Sequence, residues 1–218
     1  MALNLQQQPL LYLITSGETT PHTEPTSPEF SHILSLVRAA VSSGIHLIQL
    51  REKNLRPRVL YELARQAASL RRERRTLILV NDRADIALAA GCDGVHLTAR
   101  SIEASVIRKT FGADFLIGAS THSIEEARAA REAGADFAVF GPVYATPSKL
   151  PYGAPLGLEK MKETARQLSP FPLIAIGGIT QENAPQVLQA GAQGIAAIRL
   201  FNDASDLEAV VRQIKAGQ

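Results

Sequence analysis

A chain of 218 residues, 45% hydrophobic and 20% charged, has the composition of a folded globular protein and excludes an intrinsically disordered one. Lys and Arg number 23 against 21 Asp and Glu, and a net charge of +2 gives no sign of the basic face that holds nucleic acid. The single cysteine, Cys92, excludes an internal disulfide and a cysteine-rich metal site.

The segment Met1–Pro9 is polar and glutamine-rich, without the basic start and apolar stretch of a signal peptide, so a flexible tail over residues 1–9 and a cytoplasmic location are expected. No apolar run is long enough to span a bilayer. Beyond the tail, eight short apolar runs read as strands: Leu10–Thr15, His46–Leu50, Thr76–Val80, Gly94–Leu97, Phe115–Gly118, Phe137–Phe140, Leu173–Ile176 and Gly194–Ile198. Nearly every position in them is apolar, which is the pattern of parallel strands buried on both faces. Amphipathic stretches predict helices over Phe30–Ser43, Arg58–Arg72, Ala84–Ala90, Ile102–Thr110, Ile124–Ala133, Leu158–Gln167, Asn183–Ala190 and Leu207–Lys215. Ser123 followed by Glu126 is a capping-box signature at the start of one of them. Strict alternation predicts an α/β fold, a (βα)8 TIM barrel forming one domain over residues 1–218; a doubly wound open sheet is the alternative. The phrases Ala90-Gly91-Cys92-Asp93, Ala133-Gly134-Ala135-Asp136 and Ala190-Gly191-Ala192-Gln193 each lie between a helix and the next strand. Glycine there closes the helix, and its small neighbours let the chain turn into a buried strand.

In a barrel, polar residues at the carboxyl ends of the strands face the catalytic mouth. Two long connections leave such ends. Ser16–Glu29 carries three prolines and is either a lid or a disordered insertion, while Gly141–Leu156 carries four prolines and two glycines and reads as a functional loop. After the second strand, alternation puts Gln49, Arg51 and Lys53 on one side, a pair of cations and an amide suited to a phosphate. After the third, Asn81 is placed to bond a heterocycle and Asp82 to hold Mg²⁺, with a helix N-cap as the plain alternative. His96, inside the fourth strand, reads as a satisfied interior histidine. Ser120-Thr121-His122 follows the fifth strand, and His122 stands where acid–base work or phosphate contact is possible. Thr146, Ser148 and Lys149 bring hydroxyls and an ammonium to the long loop. Gly177 and Gly178 after the seventh strand, with Arg199 after the eighth, have the makings of a backbone phosphate site. Arg71, Arg72, Arg74 and Arg75 read as a solvated helix end, and Cys92 as buried and inert.

The motifs Leu11-Tyr12-Leu13-Ile14-Thr15, Gln49-Leu50-Arg51-Glu52-Lys53, Asn81-Asp82-Arg83, Gly94-Val95-His96-Leu97, Ser120-Thr121-His122-Ser123, Gly141-Pro142-Val143 and Ala175-Ile176-Gly177-Gly178-Ile179 occur in the order found in the thiamine phosphate synthase/TenI family, which the chain resembles over nearly its whole length. The resemblance implies a (βα)8 barrel that joins hydroxymethylpyrimidine diphosphate to hydroxyethylthiazole phosphate with Mg²⁺ and releases diphosphate. It implies that Gln49, Arg51, Lys53 and Asn81 hold the pyrimidine diphosphate, Asp82 binds Mg²⁺ and Lys149 meets the leaving group. Ser120 would lie near the reacting centre, and Thr146, Ser148 and Gly178 would meet the thiazole phosphate. The implied partners are small phosphorylated heterocycles, with a homo-oligomer left open and neither nucleic acid nor membrane expected. Three positions depart from the family pattern. Thr98-Ala99-Arg100-Ser101 replaces a Gly-Gln-Glu-Asp whose Asp is a second metal ligand, Ser16 replaces an Asp, and Arg199 replaces a Ser. The first departure resembles TenI-type thiazole tautomerases, which need no metal and would use His122 as acid–base catalyst; a non-catalytic binder of a thiamine precursor is a third reading.

Overall fold

A computed structural model describes residues 9–71, 76–146 and 154–217. The chain runs β1 (Leu10–Ile14), α1 (Pro28–Ser42), β2 (Leu47–Leu50), α2 (Pro57–Ser69), β3 (Leu77–Asn81), α3 (Ala84–Ala89), β4 (Gly94–Leu97), α4 (Ala104–Phe111), β5 (Leu116–Thr121), α5 (Ile124–Glu132), β6 (Phe137–Phe140), α6 (Gly157–Leu168), β7 (Leu173–Ile176), α7 (Ala184–Gln189), β8 (Gly194–Ala197), α8 (Arg199–Asn202) and α9 (Leu207–Ala216). The strands are all parallel and close in sequence order, with Leu10 of β1 paired to Gly194 of β8. The expected barrel is therefore the observed one. Most boundaries agree within a residue or two. The short α8 was not foreseen, and β5 continues through Ser120 and Thr121, which pair with Val139 and Phe140 of β6 instead of lying beyond the strand. Of the expected tail, residues 1–8 lie outside the described residues, and Pro9 is buried.

The unbroken apolar strands supply two cores. Leu11, Leu13, Ile48, Leu50, Ile78, Val80 and their counterparts pack outward against the helices. Leu10, Tyr12, Ile14, Leu47, Leu77, Leu79, Leu116, Phe137, Val139, Ile174 and Ala196 fill the barrel interior. Because successive side chains alternate across a strand, each strand feeds both cores. Gly118 belongs to the inner set. A Cβ there would lie 2.4 Å from Phe137 Cζ and 2.9 Å from His96 Nδ1, so the missing side chain is what admits both rings.

At the amino end of the barrel, the three recurring phrases have one task. Gly91, Gly134 and Gly191 take positive φ just past their helices. Two residues later, the Asp93 N–H donates to Ile78 O and its carboxylate accepts from the Ile78 N–H at 2.8 Å. Asp136 does the same with Ile117 at 2.7 Å, and Gln193 with Leu173, also at 2.7 Å. Gly44-Ile45-His46 is a fourth instance. Gly44 also has positive φ, the His46 N–H donates to Leu11 O, and its Nδ1 accepts from the Leu11 N–H at 3.0 Å. Arginines brace the two aspartates: Arg71 lies 2.5 Å from Asp93, and Arg108 lies 2.7 Å from Asp136. Arg71 is thus a half-buried structural cation and not part of a solvated face; Arg72, Arg74 and Arg75 lie outside the described residues. Cys92 is buried as expected, and burial pushes its thiol up to about 12.

Two histidines are held neutral. Burial lowers His96 to about 4, against a smaller upward pull from Asp82. Burial, with help from the Lys215 ammonium, lowers His46 to about 4 as well. Both imidazoles stay unprotonated in the folded chain while the unfolded chain takes up protons below about pH 6.5. Their contribution to stability is complete above that pH and is lost progressively as pH falls towards 4. For His96 the loss is about 3 kcal/mol. Urea melts between pH 7 and 4 are expected to show this fall, and His46→Asn, which keeps an acceptor for the Leu11 N–H, to flatten part of it.

Candidate active site

The innermost positions nearest the carboxyl ends of the strands turn polar. Gln49 continues the interior row after Leu47, Asn81 the row after Leu79, and Ser120 the row after Gly118. Gln49 and Asn81 are buried, and the Gln49 Nε2 amide reaches Asn81 Oδ1 at 3.5 Å. Beneath Ser120 lies His96, whose Nε2 is 2.9 Å from Ser120 Oγ and whose Nδ1 is 3.2 Å from the hydroxyl of Tyr12. The expected satisfied interior histidine is what the structure shows, although one of its partners stands at the mouth.

Asp82 follows β3 in the left-handed region at φ 59°, which turns its carboxylate along the rim. One oxygen accepts from Ser101 Oγ and, at 3.4 Å, from Thr98 Oγ1; the other accepts from Asn81 Nδ2 at 2.9 Å. Ser101, at the place of the missing family carboxylate, therefore reaches the same aspartate with a hydroxyl. Among the described residues no group of three or more His, Cys, Asp or Glu side chains could hold a metal. One carboxylate that accepts from two hydroxyls and one amide N–H is too little for an all-protein cage. It does fit Mg²⁺, a hard cation that keeps several waters and binds through one or two carboxylates together with phosphates of its substrate. Glu103 is exposed at the head of α4.

Arg51 and Lys53 lie just past β2, half-buried and exposed respectively. Between them Glu52 continues the outward row of Ile48 and Leu50 and is only 2% exposed. Thr15 extends the outward row of Leu11 and Leu13, so the two meet behind the sheet. Thr15 Oγ1 donates to Glu52 at 2.5 Å and accepts from the Arg51 N–H at 2.9 Å, while Thr19 Oγ1 donates to the other carboxylate oxygen at 2.7 Å. Asn54 Nδ2 donates to Thr19 O at 3.2 Å, and Glu24 pairs with Arg56. These bonds fasten the connection after β1 to the end of β2, so it is an ordered part of the rim and not a disordered insertion. A Cβ on Gly17 would come within 3.3 Å of Arg51 Nη1, which places this connection beside the guanidinium.

On the other side of the mouth, His122 Nδ1 lies 2.5 Å from Gly141 O, and its backbone N–H donates to Glu126 Oε2 at 2.7 Å. Ser123 accepts from the Glu126 N–H at 3.1 Å, so the capping box forms, with its return bond going to His122. The carbonyl fixes a proton on Nδ1 and leaves Nε2 as an acceptor. Gly177 and Gly178 have φ of 98° and 64°. A Cβ on Gly177 would sit 2.5 Å from Pro142, and one on Gly178 would sit 2.7 Å from Ala145 O. The glycines therefore let the loop after β6 lie against the turn after β7, where the Val143 N–H donates to Ile176 O and the Tyr144 N–H to Gly177 O. Thr146 is half-buried on this loop, while Ser148 and Lys149 lie outside the described residues. Arg199 opens α8 and is exposed, lining a groove with Gln181, Asp203 and Asp206.

A family profile described as "Thiamine monophosphate synthase" matches residues 11–201. The chain belongs to that family. It is 46% identical over 166 residues to a protein of Geobacter sulfurreducens named putative thiamine-phosphate synthase, covering 76% of this chain and 78% of that one. It is 40% identical over 214 residues to the thiamine-phosphate synthase of Chlorobium luteolum, covering 98% and 95%. The solved thiamine phosphate pyrophosphorylase of Pyrococcus furiosus superposes with a TM-score of 0.82 at 33% identity, covering 98% and 97%. Among the described residues no helix is long and apolar enough to cross a membrane.

The residues missed from the sequence alone are Thr15, Thr19 and Glu52. The parity of Ile48, Leu50 and Glu52 was the available signal: a carboxylate on an outward, helix-covered row needs hydroxyl partners there. Glu52→Ala leaves two hydroxyls unpaired at a buried position and is expected to cost about 2–4 kcal/mol of stability, read from the urea midpoint.

Proposed function

We propose that this chain is a thiamine phosphate synthase, a transferase that joins hydroxymethylpyrimidine diphosphate to hydroxyethylthiazole phosphate and releases diphosphate. The observation that carries the proposal is the grouping of the buried Gln49–Asn81 amide pair with Asp82, Arg51 and Ser120 on the ends of β2, β3 and β5. An amide pair at the bottom of a mouth can read the nitrogen-bearing edge of a pyrimidine. Arg51 and Lys53 suit the diphosphate, the first as a two-pronged donor and the second as a point charge. Lys149 is assigned to the departing diphosphate. Gly177, Gly178, Thr146, Ser148 and Arg199 are assigned to the thiazole phosphate, since two glycines allow an anion to approach the main chain closely.

The reaction breaks the bond between the pyrimidine methylene carbon and diphosphate oxygen and forms one from that carbon to the thiazole nitrogen. Positive charge grows on the methylene as negative charge grows on the leaving group, so catalysis falls to groups already oriented at both ends. Mg²⁺, when bound beside Asp82, supplies charge neutralisation to the departing diphosphate. Thr98, Ser101 and Asn81 hold the Asp82 carboxylate in place for it. Ser120 faces the reacting centre from β5. The substrates are soluble phosphorylated heterocycles, consistent with a cytoplasmic enzyme.

A second reading, thiazole tautomerase, rests on His122: with Nδ1 held by Gly141 O, Nε2 is placed to move a proton. Two assays decide between them. Purified protein with both phosphorylated precursors is expected to form thiamine phosphate only when Mg²⁺ is present. Asp82→Ala is expected to lower kcat/KM by roughly 10²-fold, and Arg51→Ala to raise chiefly the KM for the diphosphate. No product at saturating Mg²⁺, with metal-independent turnover of the thiazole tautomer abolished in His122→Ala, would establish the second reading instead.

A further inference from the structure

The hydroxyl of Tyr12 on β1, the imidazole of His96 on β4 and the hydroxyl of Ser120 on β5 form a single file through the barrel interior. Tyr12 is fully buried, His96 is 2% exposed and Ser120 is half-buried at the mouth. The Tyr12 oxygen lies 3.2 Å from His96 Nδ1, and His96 Nε2 lies 2.9 Å from Ser120 Oγ. At the Tyr12 end the inner core is apolar, with Leu10, Ile14, Leu47 and Phe137. The Tyr12 ring packs edge-on to Phe137 at 5.7 Å, and Gly118 offers no side chain where Phe137 and His96 converge.

The protons in this file can be placed from one constraint. Among the described residues His96 Nδ1 is the hydrogen-bond partner of the Tyr12 hydroxyl, and a buried O–H that donates to nothing is costly. Were Nδ1 to carry the imidazole proton, Tyr12 could only accept, and its own proton would be stranded among Leu, Ile and Phe side chains. The Tyr12 hydroxyl therefore donates to Nδ1, the proton of the neutral imidazole sits on Nε2, and Nε2–H donates to Ser120 Oγ. That bond occupies one lone pair of Ser120, and the serine proton is left to point out of the barrel. With the opposite tautomer, Ser120 would donate inward and face the mouth as an acceptor only.

We propose that Tyr12 and His96 are positioning residues that fix Ser120 as a hydrogen-bond donor towards whatever occupies the barrel mouth. They do so without touching the ligand. The inference rests on the synthase reading for its kinetic consequence but not for the proton placement, and the two can be tested separately.

Nitrogen-15 NMR of the imidazoles in the ligand-free full chain at neutral pH is expected to show His96 as the neutral Nε2–H tautomer. In Tyr12→Phe, which removes one oxygen and keeps the ring, His96 is expected to become a mixture of tautomers. An Nδ1–H tautomer in the wild type, or an unchanged His96 signal in Tyr12→Phe, overturns the proposal whatever the activity. In turnover, Tyr12→Phe is expected to lower kcat about fivefold to tenfold with KM values within about twofold. Tyr12→Phe/Ser120→Ala is expected to be no slower than Ser120→Ala alone. Independent, multiplying losses would mean that Tyr12 acts by some route other than Ser120. Should the wild type make no thiamine phosphate, the synthase reading falls and the tautomer result still decides the placement of the protons.

Discussion

The barrel is held in register by an exchange of hydrogen bonds repeated four times at its amino end. His46, Asp93, Asp136 and Gln193 each use their backbone N–H and one side-chain acceptor to satisfy both main-chain groups of a residue near the start of the preceding strand: Leu11, Ile78, Ile117 and Leu173. A one-residue slip there would break two hydrogen bonds and reverse the inner and outer rows of an apolar strand. Everything at the opposite end follows from this register. Because Leu47 and Leu79 point inward, so must Gln49 and Asn81; because Leu13 and Leu50 point outward, Thr15 and Glu52 meet behind the sheet.

The mouth is built from that parity with few added devices. Polar side chains on inward rows stand at the end of an apolar column and are forced to pair with each other or with a ligand. Those on outward rows are covered by helices and connections and become fasteners. Glu52 is the clearest case. It lies between two cations in the sequence, yet its neighbours in space are threonine hydroxyls, and its negative charge serves to seat the connection after β1. The Asp82 carboxylate has the opposite fate. A positive φ lifts it off the strand rows altogether and sets it on the rim among neutral donors.

Alternation of short apolar runs with amphipathic ones was enough to read the closed barrel, and strand ends were enough to find the inward polar residues. What escaped was what depends on pairs distant in sequence. Three of the four recurring floor phrases were visible because they share Ala-Gly-small-Asp or Gln. The fourth was hidden because His46 performs with a ring nitrogen what the others do with an oxygen. The apolar run of β5 ends at Gly118 in the sequence, and only the pairing of Ser120 and Thr121 with Val139 and Phe140 shows that the strand goes on. Arg71 read as one of a cluster of surface cations, and only the fold brings Asp93 to it. The ordered course of 16–29 was likewise hidden, because its anchor, Glu52, reads locally as part of a charged strand end.

The floor exchanges also bear on how such a chain finds its shape. Each links residues 35, 15, 19 or 20 positions apart, and each joins two strands adjacent in the chain. Such contacts incur little loop-closure entropy and can form within a two-strand unit before the others exist. The seam between β1 and β8 is different: Leu10 pairs with Gly194, and Asn202 Nδ2 donates to Ile14 O across 188 positions. The largest loop-closure entropy of the fold therefore falls on this one seam, between strands whose register is also fixed by their other neighbours.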